Sequence, residues 1–173
     1  GGYVITGNAE FAGMGNWAVT IDSEGGLIES MDTGIEFDDV HTTFVTQTND
    51  SGYVIIGHAR PYGITDDKLF ATKFNKWQSL EWEQIYEDGP DYAYSIKELN
   101  FGGYIIAGHD ATNDEIWLWQ INSVGNLVWN SKIGDNYNNI EVTGMVEIDS
   151  LDYAITGRVD VDGKNEIILA DEI

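Results

Sequence analysis

Hydrophobic and polar positions along this chain fall into short runs, and residues 91–134 show the pattern best. Asp91–Leu99 alternates polar and apolar positions, and Gly103–Gly108 is a β-branched and aromatic run held between glycines. Ile116–Asn122 is rich in Trp, Leu and Ile, and Asn126–Ile133 follows a turn at Ser123-Val124-Gly125. Short runs rich in Val, Ile, Tyr and Trp, punctuated by Gly, Asn and Asp, predict strands. No long stretch carries the apolar spacing of a helix face. The expectation is an all-β chain.

The second of these runs recurs. Gly1-Gly2-Tyr3-Val4-Ile5-Thr6-Gly7, Ser51-Gly52-Tyr53-Val54-Ile55-Ile56-Gly57, Gly102-Gly103-Tyr104-Ile105-Ile106-Ala107-Gly108 and Leu151-Asp152-Tyr153-Ala154-Ile155-Thr156-Gly157 are versions of one segment. Their tyrosines stand at 3, 53, 104 and 153, a period of about 50 residues, and a fixed period of that size marks a repeat architecture. The repeat units are 1–32, 41–85, 91–134 and 140–173. The second contributes His41–Thr48, Gly52–Gly57, Lys68–Asn75 and Leu80–Ile85. The first contributes Gly2–Gly7, Trp17–Asp22 and Gly26–Met31, and the last Ile140–Ile148, Tyr153–Gly157 and Glu166–Asp171. Asp22, Asn75 and Asn122 close the third strands as turn starters, and Gly25 and Gly125 supply the positive φ such hairpins need. The hairpin Asn75-Lys76-Trp77-Gln78 lacks that glycine and is expected to turn differently.

Four antiparallel strands repeated every 40–50 residues fit the blade of a β-propeller. The run Ala93-Tyr94-Ser95-Ile96, then Gly102 to Gly108, then Trp117 to Trp129, resembles the PQQ-like or WD40-like propeller repeat of secreted and cell-surface bacterial and archaeal proteins. Thr46 to Tyr53 is similar to the first-to-second-strand turn of that family. The resemblance implies a propeller segment of about three and a half blades, an extracellular or cell-surface location, and a scaffold that binds proteins or assembles on a surface. One departure stands out: Glu29 occupies the fourth-strand place held by Trp82 and Trp129.

The ring is expected to be incomplete in this chain. The first unit lacks its inner strand and the last its outer one, so two apolar faces should stand uncovered. Either the chain belongs to a longer protein, or it self-associates and closes a ring as a dimer. Unpaired strand edges favour association as well.

Charge narrows the partners. Thirty acidic residues against eight basic give a formal net charge of −22. Such a field repels a phosphate backbone, which argues against nucleic acid, and it also keeps a protein soluble. No run of 18 apolar residues occurs, so no membrane-spanning helix is expected. The absence of cysteine removes disulfides, thiolate metal sites and Cys catalysis.

Candidate chemistry is sparse. Asn8, His58, His109 and Arg158 share one repeat position, directly after the second-strand glycine, and should lie along one rim as polar loop residues or a binding face. Trp77, in a predicted turn, is the tryptophan expected to be exposed; Trp17, Trp82, Trp117, Trp119 and Trp129 recur at strand positions suited to packing. Asp160, Asp162 and Glu166, around Gly163, resemble the start of a calcium loop, although Asp-Gly is equally a hairpin turn. His41 sits on an inner strand where it could face a central channel. No nucleophile elbow, zinc-protease motif or phosphate loop occurs, so the chain is read as non-catalytic. The competing readings are a propeller hydrolase or lyase completed by further blades, and a subunit of a surface filament or layer.

Overall fold

The structure is a computed structural model that describes residues 2–11, 14–32, 39–60, 63, 65–86, 92–110, 113, 115–133, 138–148, 153–161 and 164–167. Among these residues the chain is all-β, with fourteen strands in four antiparallel sheets and no helix. The first sheet is β1 (Gly2–Phe11), β2 (Met14–Asp22) and β3 (Leu27–Asp32). The second is β4 (Asp39–Gln47), β5 (Tyr53–Arg60), β6 (Lys68–Phe74) and β7 (Leu80–Tyr86). The third is β8 (Tyr92–Glu98), β9 (Tyr104–Asp110), β10 (Glu115–Ile121) and β11 (Leu127–Ile133). The fourth is β12 (Asn138–Glu147), β13 (Tyr153–Val161) and β14 (Lys164–Ile167). Within each sheet the strands lie in chain order, each hydrogen-bonded to the next.

The sheets stack face to face, and this explains the recurring Tyr-x-Ile run. In β5, Val54 and Ile56 pack against the third sheet with Tyr104, Ile106, Trp117 and Trp119. Tyr53 and Ile55, on the opposite face, pack with Val4 and Ala18 of the first sheet. In β9 the division repeats, with Ile105 and Ala107 facing Val142, Tyr153 and Ile155 of the fourth sheet. A strand covered on both faces reads as a continuous apolar run instead of an alternation. The outer strand β11 is mostly exposed or half-buried. The strand β8 lies against both β4 and β12, so neighbouring sheets meet along their first strands. Each of these three carries a bulge at the same place, between Thr42 and Phe44, Ala93 and Ser95, and Val142 and Gly144. A bulge bends and twists its strand, and at Thr43 the bulged side chain donates to the Ala93 carbonyl of the next sheet.

Two expectations need correction. The second strands run on past their glycines, to Arg60 in β5 and Asp110 in β9. Gly57 ends nothing; a Cβ there would meet the His41 carbonyl oxygen at 2.0 Å and the Phe70 ring at 2.7 Å. The hairpin after β6 also makes the same turn as its counterparts. Asn75 Oδ1 accepts the N–H groups of Trp77 and Ser79, as Asn122 Oδ1 accepts those of Val124 and Asn126. Gln78 then takes a φ of 63°, where Gly125 takes 83° and Gly25 takes 87°. The Asx turn sets the geometry, and Gln78 bears the left-handed backbone.

Candidate functional site

One end of the stacked sheets gathers imidazoles and phenols. His58 follows Gly57 on β5 and pairs with His41 of β4; His109 follows Gly108 on β9 and pairs with Tyr92 of β8. Direct cross-strand partners share a face, so the repeat places each histidine beside a ring of the neighbouring strand. The His41 and His58 rings stack with centroids 4.9 Å apart. Tyr92 meets His58 edge-on at 5.0 Å and leans toward Tyr94 at 6.3 Å. The four residues make an aromatic row across the second and third sheets, with buried His109 bordering it. Such a row offers flat faces and ring nitrogens.

The other residues of that repeat position do not join the row. Asn8 lies on β1, paired with Asn16, and its side chain falls outside the described part. Arg158 lies exposed on β13 opposite Glu141. All four are strand residues, not loop residues. Trp77 stands at the opposite end, 73% exposed, with the Lys76 ammonium 4.5 Å from its ring centroid. Asp162 lies outside the described residues. The register pairs Asp160 with Asn165 and Val159 with Glu166, which sets positions 160 and 166 on opposite faces of the hairpin. Among the described residues no group of three or more His, Cys, Asp or Glu is placed to hold a metal ion.

At the turn end, the second and third sheets are locked by groups that strand patterning alone does not reveal. The Trp82 indole N–H donates to the Ser123 carbonyl at 2.9 Å, and the ring lies against Tyr104. Tyr86 donates to the Gly125 carbonyl at 2.7 Å. Lys73 is 3% exposed, and its ammonium donates to Asp50 at 2.8 Å, Glu81 at 2.9 Å and the Phe74 carbonyl at 3.0 Å. Partial burial pushes the Asp50 carboxyl up, but hydrogen bonds from Lys73, Thr48 and the Gly52 N–H outweigh it and hold the group at about 2. Burial, reinforced by the Glu98, Asp50 and Glu81 carboxylates, pushes the Tyr104 hydroxyl well above its ordinary value. The one sequence signal for this network was a lone lysine where Thr20 and Gln120 stand in the neighbouring sheets.

The end sheets differ from the inner ones in cover. Tyr3, Ile5 and Leu27 of the first sheet are 64%, 45% and 67% exposed. Their register partners Val19 and Ile21 continue the same face. On the fourth sheet Val146 and Thr156 are exposed and Ala154 half-buried, whereas Tyr153 and Ile155 are buried against the third sheet. Among the described residues, then, one apolar face is open at each end, the first more apolar than the second.

No family model matches the chain, and no curated protein matches it. Among solved structures it is similar to the crystal structure of a protein of unknown function from Bacteroides caccae. The likeness has a TM-score of 0.55 at 11% identity and covers 88% of this chain and 52% of that one. The chain thus spans about half the length of that structure. At this identity the likeness shows the fold alone.

Proposed function

We propose that the chain is a β-propeller segment that acts as a non-catalytic binding and assembly module of an extracellular or cell-surface microbial protein. The period of about 50 residues, the in-order antiparallel sheets and the packing of β8 against both β4 and β12 support the propeller reading. The extracellular placement rests on the resemblance of the repeat.

The observation that carries the assembly role is the pair of open end faces. Tyr3 and Ile5 hold the positions that Tyr53 and Ile55 use to pack on a preceding sheet. Ala154 and Thr156 hold the positions that Val54 and Ile56 use to pack on a following one. Among the described residues neither face has a sheet against it, and the first sheet of one copy is complementary to the fourth sheet of another, as it would be to a further sheet of the same protein. Two such contacts related by a two-fold close a ring of two copies, a rotation of higher fold closes a larger ring, and a rotation that does not close gives an open chain of copies. The charge of −22 opposes this contact, and salt screens that repulsion, the Debye length falling from about 10 Å at 0.1 M to about 3 Å at 1 M.

Sedimentation velocity on the chain and on Ile5→Lys/Leu27→Lys tests the reading. Association that strengthens with salt and disappears in the variant, with the circular dichroism unchanged, supports it. Association that is indifferent to both lysines overturns it.

A further inference from the structure

Among the described residues the first sheet lacks the strand that opens each of the others. β4, β8 and β12 pair with β5, β9 and β13, whereas β1, the counterpart of those second strands, is itself the edge of its sheet. The register settles which main-chain groups that edge presents. Asp22 donates its N–H to the Gly26 carbonyl, toward β3, and hydrogen-bonded pairs alternate along an antiparallel ladder. Tyr3 and Ile5, opposite Ile21 and Val19, therefore bond to β2, and Val4 and Thr6 turn their N–H and C=O groups outward. The inner sheets agree. Thr48 and Leu99 donate to the Gly52 and Gly103 carbonyls, so Val54 and Ile105, the equivalents of Val4, face β4 and β8. Among the described residues no strand pairs with the outward side of β1.

Two further observations mark this edge as a place for a strand. Natural edges are blunted by charge, proline or bulges. The outer strands follow that rule, with Glu29 in β3, Glu81 and Glu83 in β7, and Lys132 in β11. From Gly2 to Gly7 the edge of β1 has no charged residue and no proline, and its register with β2 is unbroken. The second sheet also offers a seat. β8 packs across β4 and β5, and β12 packs across β8 and β9; β4 packs in the same way on β1 and β2. A strand beside β1 would rest on β4 as β4 rests on β8.

The repeat supplies the pattern of such a strand. Thr43, Tyr94 and Thr143 stand at the bulges, and Thr43 and Thr143 donate to the carbonyls of Ile56 and Thr156 at 3.4 and 3.1 Å. Thr6 is the equivalent acceptor in β1. Two places on, Val45, Ile96 and Met145 pair with Ile55, Ile106 and Ile155, the equivalents of Ile5. After two more, Gln47, Glu98 and Glu147 pair with the recurring tyrosines, the equivalents of Tyr3. We infer that the outward edge of β1 is a strand-addition site for an extended segment of a partner protein. The segment runs antiparallel to β1, with a hydroxyl residue, an aliphatic residue and Gln or Glu at alternate positions. Main-chain bonds to Val4 and Thr6 supply affinity, and the side chains opposite Ile5 and Tyr3 set the register. The three segments of this pattern in the chain itself are each paired in their own sheets, which favours a partner over a second copy. The charge of −22 favours a segment of low or positive charge. The site is the edge of the sheet and not its face, so it stands or falls apart from self-association.

The test titrates the whole chain with a blocked peptide of the sequence 40–48, which carries the pattern and no acidic side chain. Calorimetry and residue-resolved amide hydrogen exchange read the outcome. Saturable one-to-one binding is expected, with exchange slowed at the Val4 and Thr6 amides. In the peptide, Thr46 takes the place opposite Val4 that it holds opposite Val54 in β4. N-methylation at Thr46 should therefore weaken binding about tenfold through the lost hydrogen bond, and N-methylation at Val45, whose N–H points away, should not. Val4→Pro in the chain removes an outward N–H, which an edge strand tolerates, and should abolish binding. If that variant does not fold, the two N-methyl peptides on the unaltered chain decide. Absence of saturable binding, equal losses from the two N-methyl peptides, or protection centred on β3, β7 or β11 overturns the inference. Protection of Val4 and Thr6 without peptide also overturns it: where it grows with chain concentration a second copy holds the edge, and where it does not the place is already filled.

Discussion

Two glycines at one turn position separate backbone strain from packing. Gly25 and Gly125 have φ of 87° and 83°, each donates its N–H back to the residue that starts the turn, Asp22 or Asn122, and an L side chain at either pays the left-handed cost of about 1–2 kcal/mol. Around Gly25 a Cβ meets nothing within 4 Å. At Gly125 it meets Trp82 at 2.8 and 3.0 Å and the Gln84 side chain at 2.8 Å. The indole cannot slide away freely, because its N–H is held by the Ser123 carbonyl. Overpacking of this kind costs about 1–3 kcal/mol, so Gly125→Ala should lose roughly 2–5 kcal/mol in all and Gly25→Ala only the backbone part. Urea unfolding followed by tryptophan fluorescence measures both, with the slope unchanged if the transition stays two-state. Equal losses in the two variants would refute the claim that the Trp82 place is a tightly built slot.

The buried cation gives a second prediction. Asp50→Ala/Glu81→Ala leaves the Lys73 ammonium with the Phe74 carbonyl; the loss in urea unfolding should lie toward the low end of about 3–5 kcal/mol, because both carboxylates are partly in water. Lys73→Met added to that double variant should recover most of the loss, since replacing all the members of a buried ionic cluster by apolar side chains leaves no buried charge unpaired. A third concerns acid. The folded-state value of about 2 for Asp50 lies below its ordinary 3.8, so its contribution is present above about pH 4 and is lost as pH falls toward 2; Asp50→Asn should flatten that part of the urea midpoint against pH. In base the sign reverses. Burial and the Glu29 carboxylate push Tyr53 up to about 12, so stability should fall as pH rises from about 10 to 12, and Tyr53→Phe should lessen the fall.

The sequence carried the fold further than it carried the site. The four Tyr-centred runs were legible because strands covered on both faces must be apolar throughout, and their spacing repeats. The ends of those strands were not. Gly57 reads as a terminator, yet it is glycine because the His41 carbonyl approaches too closely for any side chain. Gln78 hid a turn of the standard kind, since the Asx acceptor Asn75 fixes it whatever follows. The aromatic row of His41, His58 and Tyr92 depends on the register of β4 on β5 and on the approach of β8, neither of which a linear pattern contains. The exchange of Glu29 for tryptophan was visible in the sequence. Its counterpart, the Gln78 side chain in the place that glycine leaves free for the Trp82 ring, needed the neighbouring sheet.

The central claim, that the open faces of the first and fourth sheets are covered by a partner, is tested most directly by the molar mass of the chain in solution. Light scattering across a dilution series, at 0.1 M and 1 M salt, reads it. The account predicts a mass of twice 19.2 kDa for a closed pair, or a higher multiple for a larger ring or open chain, approached more closely as salt rises. A well-folded species of 19.2 kDa at every concentration and both salts, with a cooperative unfolding transition, would contradict it.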